Sequence, residues 1–169
     1  VGTLGSKYEF FHEWKRLSEQ EQGSVALETM LRGICKKENF LDLLENFILF
    51  DHSGGHTAKI LARNHQYLGV NEAVKAYEAR KLNNGKLGVF WHTQGSGKSY
   101  SMVFLAQKIR RKFSGSPTIV ILTDREELNT QISDTFENCG ILGKTKASQF
   151  IASSGTDLID KLKGNPSLI

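Results

Sequence analysis

Two short, nearly continuous apolar runs, residues 88–93 (GVFWHT) and 118–123 (TIVILT), constrain this chain more than any other feature. A strand with one wet face alternates apolar and polar side chains. A run without that alternation fits a strand covered on both faces, as in a parallel sheet. Between the runs, Met102, Leu105, Ala106 and Ile109 fall at helical spacing, and Ser114, Gly115 and Pro117 end that helix. A further helix follows the second run. Leu128, Ile132 and Phe136 form its buried face, and Asp124-Arg125-Glu126-Glu127 reads as a capping box with Asp124 as the cap. Strand, helix, strand, helix with buried strands predicts an α/β fold on a parallel sheet.

The first third reads helical. Leu27, Met30, Leu31 and Ile34 recur at i, i+3, i+4, i+7 with Ser24 placed to cap the start. Residues 39–51 (NFLDLLENFILFD) begin as a helix capped by Asn39. The end of that block, residues 47–50, is either more helix or a buried strand, and periodicity does not choose between them. HSGGH, from His52 to His56, is a turn by its glycines, and a zinc or catalytic role for its two histidines is the weaker alternative. A helix over 64–81 and a KLNNGK loop follow. The tail predicts a strand near 147–151 and a helix near 157–162.

Composition narrows the class. A chain of 169 residues makes one good-sized domain, or one domain with a helical extension. With 39% apolar and 24% charged residues, disordered and collagen-like readings fall away. The net charge of +4 is compatible with nucleic-acid binding without arguing for it. Cys35 and Cys139 lack a CxxC spacing or histidines at ligand spacing, which fits a reduced intracellular protein. No secretory signal is seen, and no apolar run approaches the roughly 20 residues of a membrane helix. A start at Val1 and a stop at NPSLI suggest a piece of a longer protein.

The first apolar run leads into WHTQGSGKS. The general phosphate-loop pattern, Gly, four residues, Gly-Lys-Ser/Thr, fails here because His92 stands where the first glycine belongs. The context is nonetheless the one in which the motif has a mechanism, a buried strand turning into an amphipathic helix. Gly95 and Gly97 let the backbone fold with its N–H groups inward as a nest for phosphate oxygens. The helix start adds the positive end of its dipole. Lys98 reaches the β and γ phosphates, and the Ser99 hydroxyl is the expected Mg²⁺ ligand. Residue 92 does none of these jobs. A bland Gly-rich turn has no need of a Lys-Ser pair at that junction.

Taken together, KILARNHQYLGVNEAV, GKLGVFWHTQGSGKSYSMVFLAQKI and TIVILTDREELNTQI resemble the R (HsdR-type) subunit of type I restriction-modification enzymes, around the start of its superfamily 2 helicase-like motor. The resemblance runs from about Glu45 to about Asn138. HTQGSGKS, with histidine at the opening position, is that family's form of the first helicase motif. It implies a RecA-like parallel sheet, the partial first motor lobe, over 63–169, preceded by a helical connecting segment over 1–62. It also implies ATP held by Thr93, Gln94, Gly95, Ser96, Gly97, Lys98 and Ser99, with Mg²⁺ on Ser99 and Lys98 in the catalytic role. Gln66 matches the glutamine that reads adenine in such motors; an amide pairs with both N6 and N7 of that base. Without the resemblance, Gln66 reads as a surface helix residue. Thr123-Asp124-Arg125 matches the next helicase motif, with Arg125 as a DNA-phosphate contact. The implied partners are double-stranded DNA and the methyltransferase (M) and specificity (S) subunits, in a bacterial or archaeal cytoplasm.

The D-E-x-x box, the second motor lobe with its arginine finger and the upstream carboxylate–lysine nuclease cluster are not found. The implied function is the ATP-binding part of a DNA translocase and endonuclease. By itself the piece is expected to bind ATP without significant turnover. A small-molecule kinase with the same loop is the alternative, disfavoured by TIVILTDREEL; a nucleotide-binding interaction module is a third.

Overall fold

The computed structural model describes residues 1–115, 117–143, 146–164, 166 and 168–169. The chain divides into two compact units. One comprises Val1–Leu49 with Lys59–Leu105, the other Phe50–Ala58 with Ala106–Ile169. In chain order the elements are α1 (Leu27–Met30), α2 (Lys37–Asn46), β1 (Ile48–Asp51), β2 (Ala58–Leu61), α3 (Asn64–Glu78), α4 (Lys98–Lys112), α5 (Glu126–Asn138) and α6 (Gly155–Lys163). β1 and β2 form a two-stranded antiparallel sheet.

The first unit is built on aromatic packing. Trp14 meets Tyr67 at 5.3 Å between ring centroids, Tyr67 meets Phe47 at 4.7 Å, and Phe47 meets Phe104 at 5.6 Å. These rings sit beside Val70, Val74 and Val103, all buried. Offset and tilted ring pairs at such distances add to the area they bury. Burial, then the Asp42 carboxylate, raises the Tyr67 phenol above its ordinary range, so it stays a neutral hydrogen-bonding group. Gly69 lets α3 meet the segment that follows it. A Cβ there would lie 2.5 Å from Phe90 Cε2.

In the second unit Ile132 and Phe136 of α5 are buried with Leu142, Ala147 and Leu168. A single parallel bridge joins Ile119 to Leu168, with Ile121 N–H donating to Ile169 O and Ile169 N–H to Ile119 O, each at 2.9 Å. Cys139 follows α5. Burial first, and the Asp51 carboxylate second, push its thiol up to about 12.

Several expectations need correction. Among the described residues 88–93 form no strand, Gly88 standing at φ +112°, and 118–123 make only the bridge at Ile119. Val89 is 93% exposed, Trp91 77% and Leu122 94%, so these runs are not covered on both faces. A strand needs a neighbour to pair with, and among the described residues only 168–169 offer one, to Ile119 and Ile121. The ambiguous block resolves as helix to Asn46 and strand from Ile48. Residues 147–149 form a short 3-10 turn instead of a strand, because Glu137 accepts the Ala147 N–H at 2.8 Å and Phe150 N–H closes on Ala147 O.

The expected caps shift too. Ala26, not Ser24, precedes α1, and the Ser24 N–H is drawn to Lys15 O at 2.9 Å. Leu27 and Leu31 of the predicted stripe are exposed. Asn39 lies inside α2, its amide donating to Gly33 O. Arg125, not Asp124, holds the cap position of α5 and makes no side-chain cap. The α4 range is Lys98–Lys112, and α6 starts at Gly155 with Ser154 accepting the Asp157 N–H at 3.1 Å.

Candidate nucleotide-binding site

The site is the loop from His92 to the first turn of α4, in the first unit. Gly95 and Gly97 have φ of +77° and +83°, a left-handed backbone that side chains other than glycine rarely adopt. At Gly97 space is also closed, since a Cβ would stand 2.8 Å from Gln66 Nε2. Alternating left-handed glycines at a helix start make the concave run of N–H groups that binds anions. Lys98 Nζ donates to His92 O at 2.9 Å and to Thr93 O at 3.0 Å, so its ammonium lies back across the loop. Ser99 follows in the first turn of α4.

α3 supplies the other wall. Gln66 is 3% exposed, which removes the surface-residue reading. Its Oε1 accepts the Arg63 N–H at 2.8 Å and its Nε2 donates to Gly97 O at 2.9 Å. A primary amide has two donor hydrogens and two acceptor lone pairs, so one of each is left over. His65 bonds Ser96 O through Nε2 at 3.0 Å; a carbonyl only accepts, so Nε2 carries the proton. The His65 and His92 rings meet edge-on at 4.8 Å, and His92 meets Phe90 at 4.5 Å. Sequence reasoning passed over His65. Its position beside Gln66 in ARNHQ was the available signal.

Burial is the largest influence lowering the His92 imidazole below its ordinary value, followed by His65; Glu19 opposes, while Lys98 and Arg16 add to the lowering. His92 Nδ1 and Ser96 Oγ are buried with no hydrogen-bond partner among the described residues. Two orphaned polar atoms in one loop mark a place where a polar ligand is accommodated.

Of the remaining predicted positions, Thr93 joins this cluster through its carbonyl, which accepts from Lys98 Nζ, while Arg125 does not. Thr93 and Gln94 lie in the exposed part of the loop. Arg125 belongs to the second unit, its side chain 78% exposed and 3.8 Å from the Asp124 carboxylate. In the HSGGH turn, His52 Nδ1 pairs with the Thr57 hydroxyl at 3.0 Å and His56 Nδ1 with Gly54 O at 3.2 Å. Among the described residues no three His, Cys, Asp or Glu side chains gather into a metal site, and no helix is long and apolar enough to cross a membrane.

Two left-handed glycines at a helix start, with a lysine laid across them and a glutamine behind, make the backbone geometry of an anion nest. The family model of the SWI2/SNF2 ATPases matches residues 65–169, and the chain belongs to that family. Its homologues include endonuclease subunits of type I restriction enzymes. The HindI endonuclease subunit of Haemophilus influenzae is 38% identical over 147 residues, which cover 82% of this chain and 14% of that protein. The putative MjaIXP endonuclease subunit of Methanocaldococcus jannaschii is 33% identical over 146 residues, 83% of this chain and 13% of that protein. The putative MjaVIIIP subunit of the same organism is 35% identical over 130 residues, 73% and 12%. The chain therefore spans a small part of the length of the relatives it matches. The resemblance carried by HTQGSGKS is borne out, and the kinase alternative is not favoured.

Proposed function

We propose that this chain is the ATP-binding part of the DNA-translocating endonuclease subunit of a type I restriction-modification system. One observation carries the reading: two left-handed glycines open α4 as a nest, and Lys98 lies across it on backbone carbonyls. The nest fits a polyphosphate, for its N–H groups are fixed donors and the orphaned Ser96 hydroxyl is one more. Bound MgATP would supply the transferable phosphoryl group and the divalent charge. The protein's part is to cradle, orient and neutralise.

In this reading Thr93, Gln94, Gly95, Ser96 and Gly97 wrap the phosphates. Lys98 gives up its carbonyl partners for phosphate oxygens and stabilises the charge that develops in transfer. Ser99 offers its hydroxyl to Mg²⁺, leaving the other metal positions to phosphate oxygens and water. The unused donor and acceptor of the Gln66 amide face adenine N7 and N6. Arg125, exposed on the second unit, contacts the phosphate backbone of double-stranded DNA.

The same reading makes residues 1–62 a connecting segment and 63–169 the first part of a RecA-like lobe. Its parallel sheet would take up the apolar runs at 88–93 and 118–123. The methyltransferase and specificity subunits are the partners it implies, in a bacterial or archaeal cytoplasm.

Titrating MgATP into the full-length protein and its Lys98→Ala variant tests the proposal, with DNA-stimulated hydrolysis as the second readout. Tight binding and turnover that Lys98→Ala abolishes are expected. Equal binding and equal turnover by the variant would remove the assignment. The 169 residues alone should bind nucleotide weakly and hydrolyse it negligibly, since the loop provides neither an acid that orients water nor an arginine finger.

A further inference from the structure

Three consecutive residues at the start of α3 make long-range bonds in two directions. Asn64, buried, closes on the backbone of an upstream strap, residues 12–24: its Oδ1 accepts the N–H of Lys15 at 3.1 Å and of Arg16 at 3.0 Å, and its Nδ2 donates to Arg16 O at 2.9 Å. The next two residues, His65 and Gln66, hold Ser96 O and Gly97 O of the phosphate loop. The strap also seats Trp14 on Tyr67, one turn further along. From the strap, Glu19 and Arg16 act electrostatically on His92, the residue that opens the loop.

We infer that Asn64 and His65 are positioning residues that couple the phosphate loop to this strap, so that nucleotide binding and strap docking favour each other. In a planar trans peptide the C=O of one residue and the N–H of the next point in opposite directions. Pinning Ser96 O to His65 therefore turns the Gly97 N–H away from α3, and pinning Gly97 O to Gln66 does the same for the Lys98 N–H. Both N–H groups are set toward the concave side of the nest, where an anion is received. Asn64 fixes the turn that does this pinning. A side chain making three bonds to a strap stays in register with it, because leaving would strand a buried amide without partners. Displacing the strap releases the first turn of α3, and with it the two carbonyl anchors. Around the imidazole pair, His12 interacts with His65, and Glu19, Lys98 and Arg16 act on His92, while Arg63 acts on His12; none of them substitutes for the Nε2–Ser96 bond.

The inference rests on the nucleotide reading of the loop, and the experiment separates the two. Amide hydrogen exchange is followed in the full-length protein with and without Mg²⁺ and a non-hydrolysable ATP analogue, and analogue affinity is measured in parallel. The Lys15 and Arg16 amides, held by Asn64 and outside the phosphate loop, should slow in the complex. Asn64→Ala should abolish that slowing and weaken the analogue by about fivefold or more, the size of an ordinary coupling between sites, with an equal reciprocal effect. His65→Ala should weaken it likewise, while His65→Gln, which keeps an N–H donor at similar reach, should recover most of the loss. Wild-type protein in which the loop amides are protected and the Lys15 and Arg16 amides are not overturns the coupling, whether or not the variants fold. Unchanged affinity in folded Asn64→Ala does the same. A wild-type protein that binds no analogue overturns the nucleotide reading, and this inference with it.

Discussion

The chain contains two junctions of the same design, an apolar run turning through a short polar motif into an amphipathic helix. At the start of α4 every turn of the motif is tied. Gly97 O is held by Gln66, Ser96 O by His65, and the Lys98 ammonium by two carbonyls. At the start of α5 the corresponding groups are loose. Arg125 occupies the cap position without a side-chain cap, and the Asp124 and Arg125 side chains are both 78% exposed. The cores beneath are alike, since Phe104 in α4 and Phe136 in α5 are both fully buried. The difference therefore lies in the junctions and not in how well each helix packs. A loop that must present several N–H groups to one anion is worth fixing in advance. A residue that meets a long, uniformly charged backbone needs reach more than rigidity.

The largest expected effect tests the equality of the cores. Phe104→Ala and Phe136→Ala should each cost about 3–5 kcal/mol, the usual price of an aromatic truncated in a closed core. Denaturant unfolding that finds one of them nearly neutral would show that the helices, not the junctions, differ. Next comes Lys98→Ala, expected to lose more than ~2 kcal/mol of nucleotide binding or transition-state stabilisation, read from ATP titration and turnover. The Gln66→Ala change should narrow the preference for ATP over GTP by about 1–3 kcal/mol if the spare amide groups pair with adenine. Identical competition curves would reduce Gln66 to a brace for Gly97. For the loose junction, Arg125→Ala should leave stability within about 0.5 kcal/mol. It should lower the slope of DNA affinity against salt by about one phosphate contact; an unchanged slope takes Arg125 off the DNA.

The smallest effect is on pH. The His92 imidazole titrates below its unfolded value of 6.5, chiefly through burial. The unfolded chain thus takes the proton more readily, so this contribution to stability is complete above about pH 6.5 and is lost as pH falls through the lowered folded value. His92→Gln should flatten that part of the stability profile between about pH 8 and pH 5. A profile identical to wild type would place the titration elsewhere.

Much of this was legible in the sequence, for reasons particular residues make plain. The glycines and Lys98 marked the start of α4, and the stripe from Met102 to Ile109 followed it; its observed range is the expected one. Gln66 was found through resemblance, because nothing local distinguishes a glutamine that braces a loop 31 residues away. The caps were misplaced at Ser24, Asn39 and Asp124, where local hydrogen-bonding chemistry was right but other partners claimed the groups. The Ser24 hydroxyl pairs with the Thr29 hydroxyl at 3.4 Å, the Asn39 amide donates to Gly33 O, and the Asp124 carboxylate stands 3.8 Å from Arg125 Nε. Asn64 and His65 escaped notice because their partners, like that of Gln66, are backbone atoms far along the chain. The strands at 88–93 and 118–123 were read from composition, which reports what a segment prefers and not whether a neighbour is there to pair with it.

The half-buried thiol after α5 has a practical corollary. Burial and the Asp51 carboxylate raise the Cys139 thiol, so little of it is nucleophilic thiolate at neutral pH. Cys35, in the first unit, is exposed. Within these residues a maleimide dye at neutral pH should therefore modify Cys35 ahead of Cys139, placing a reporter on the unit that carries the phosphate loop.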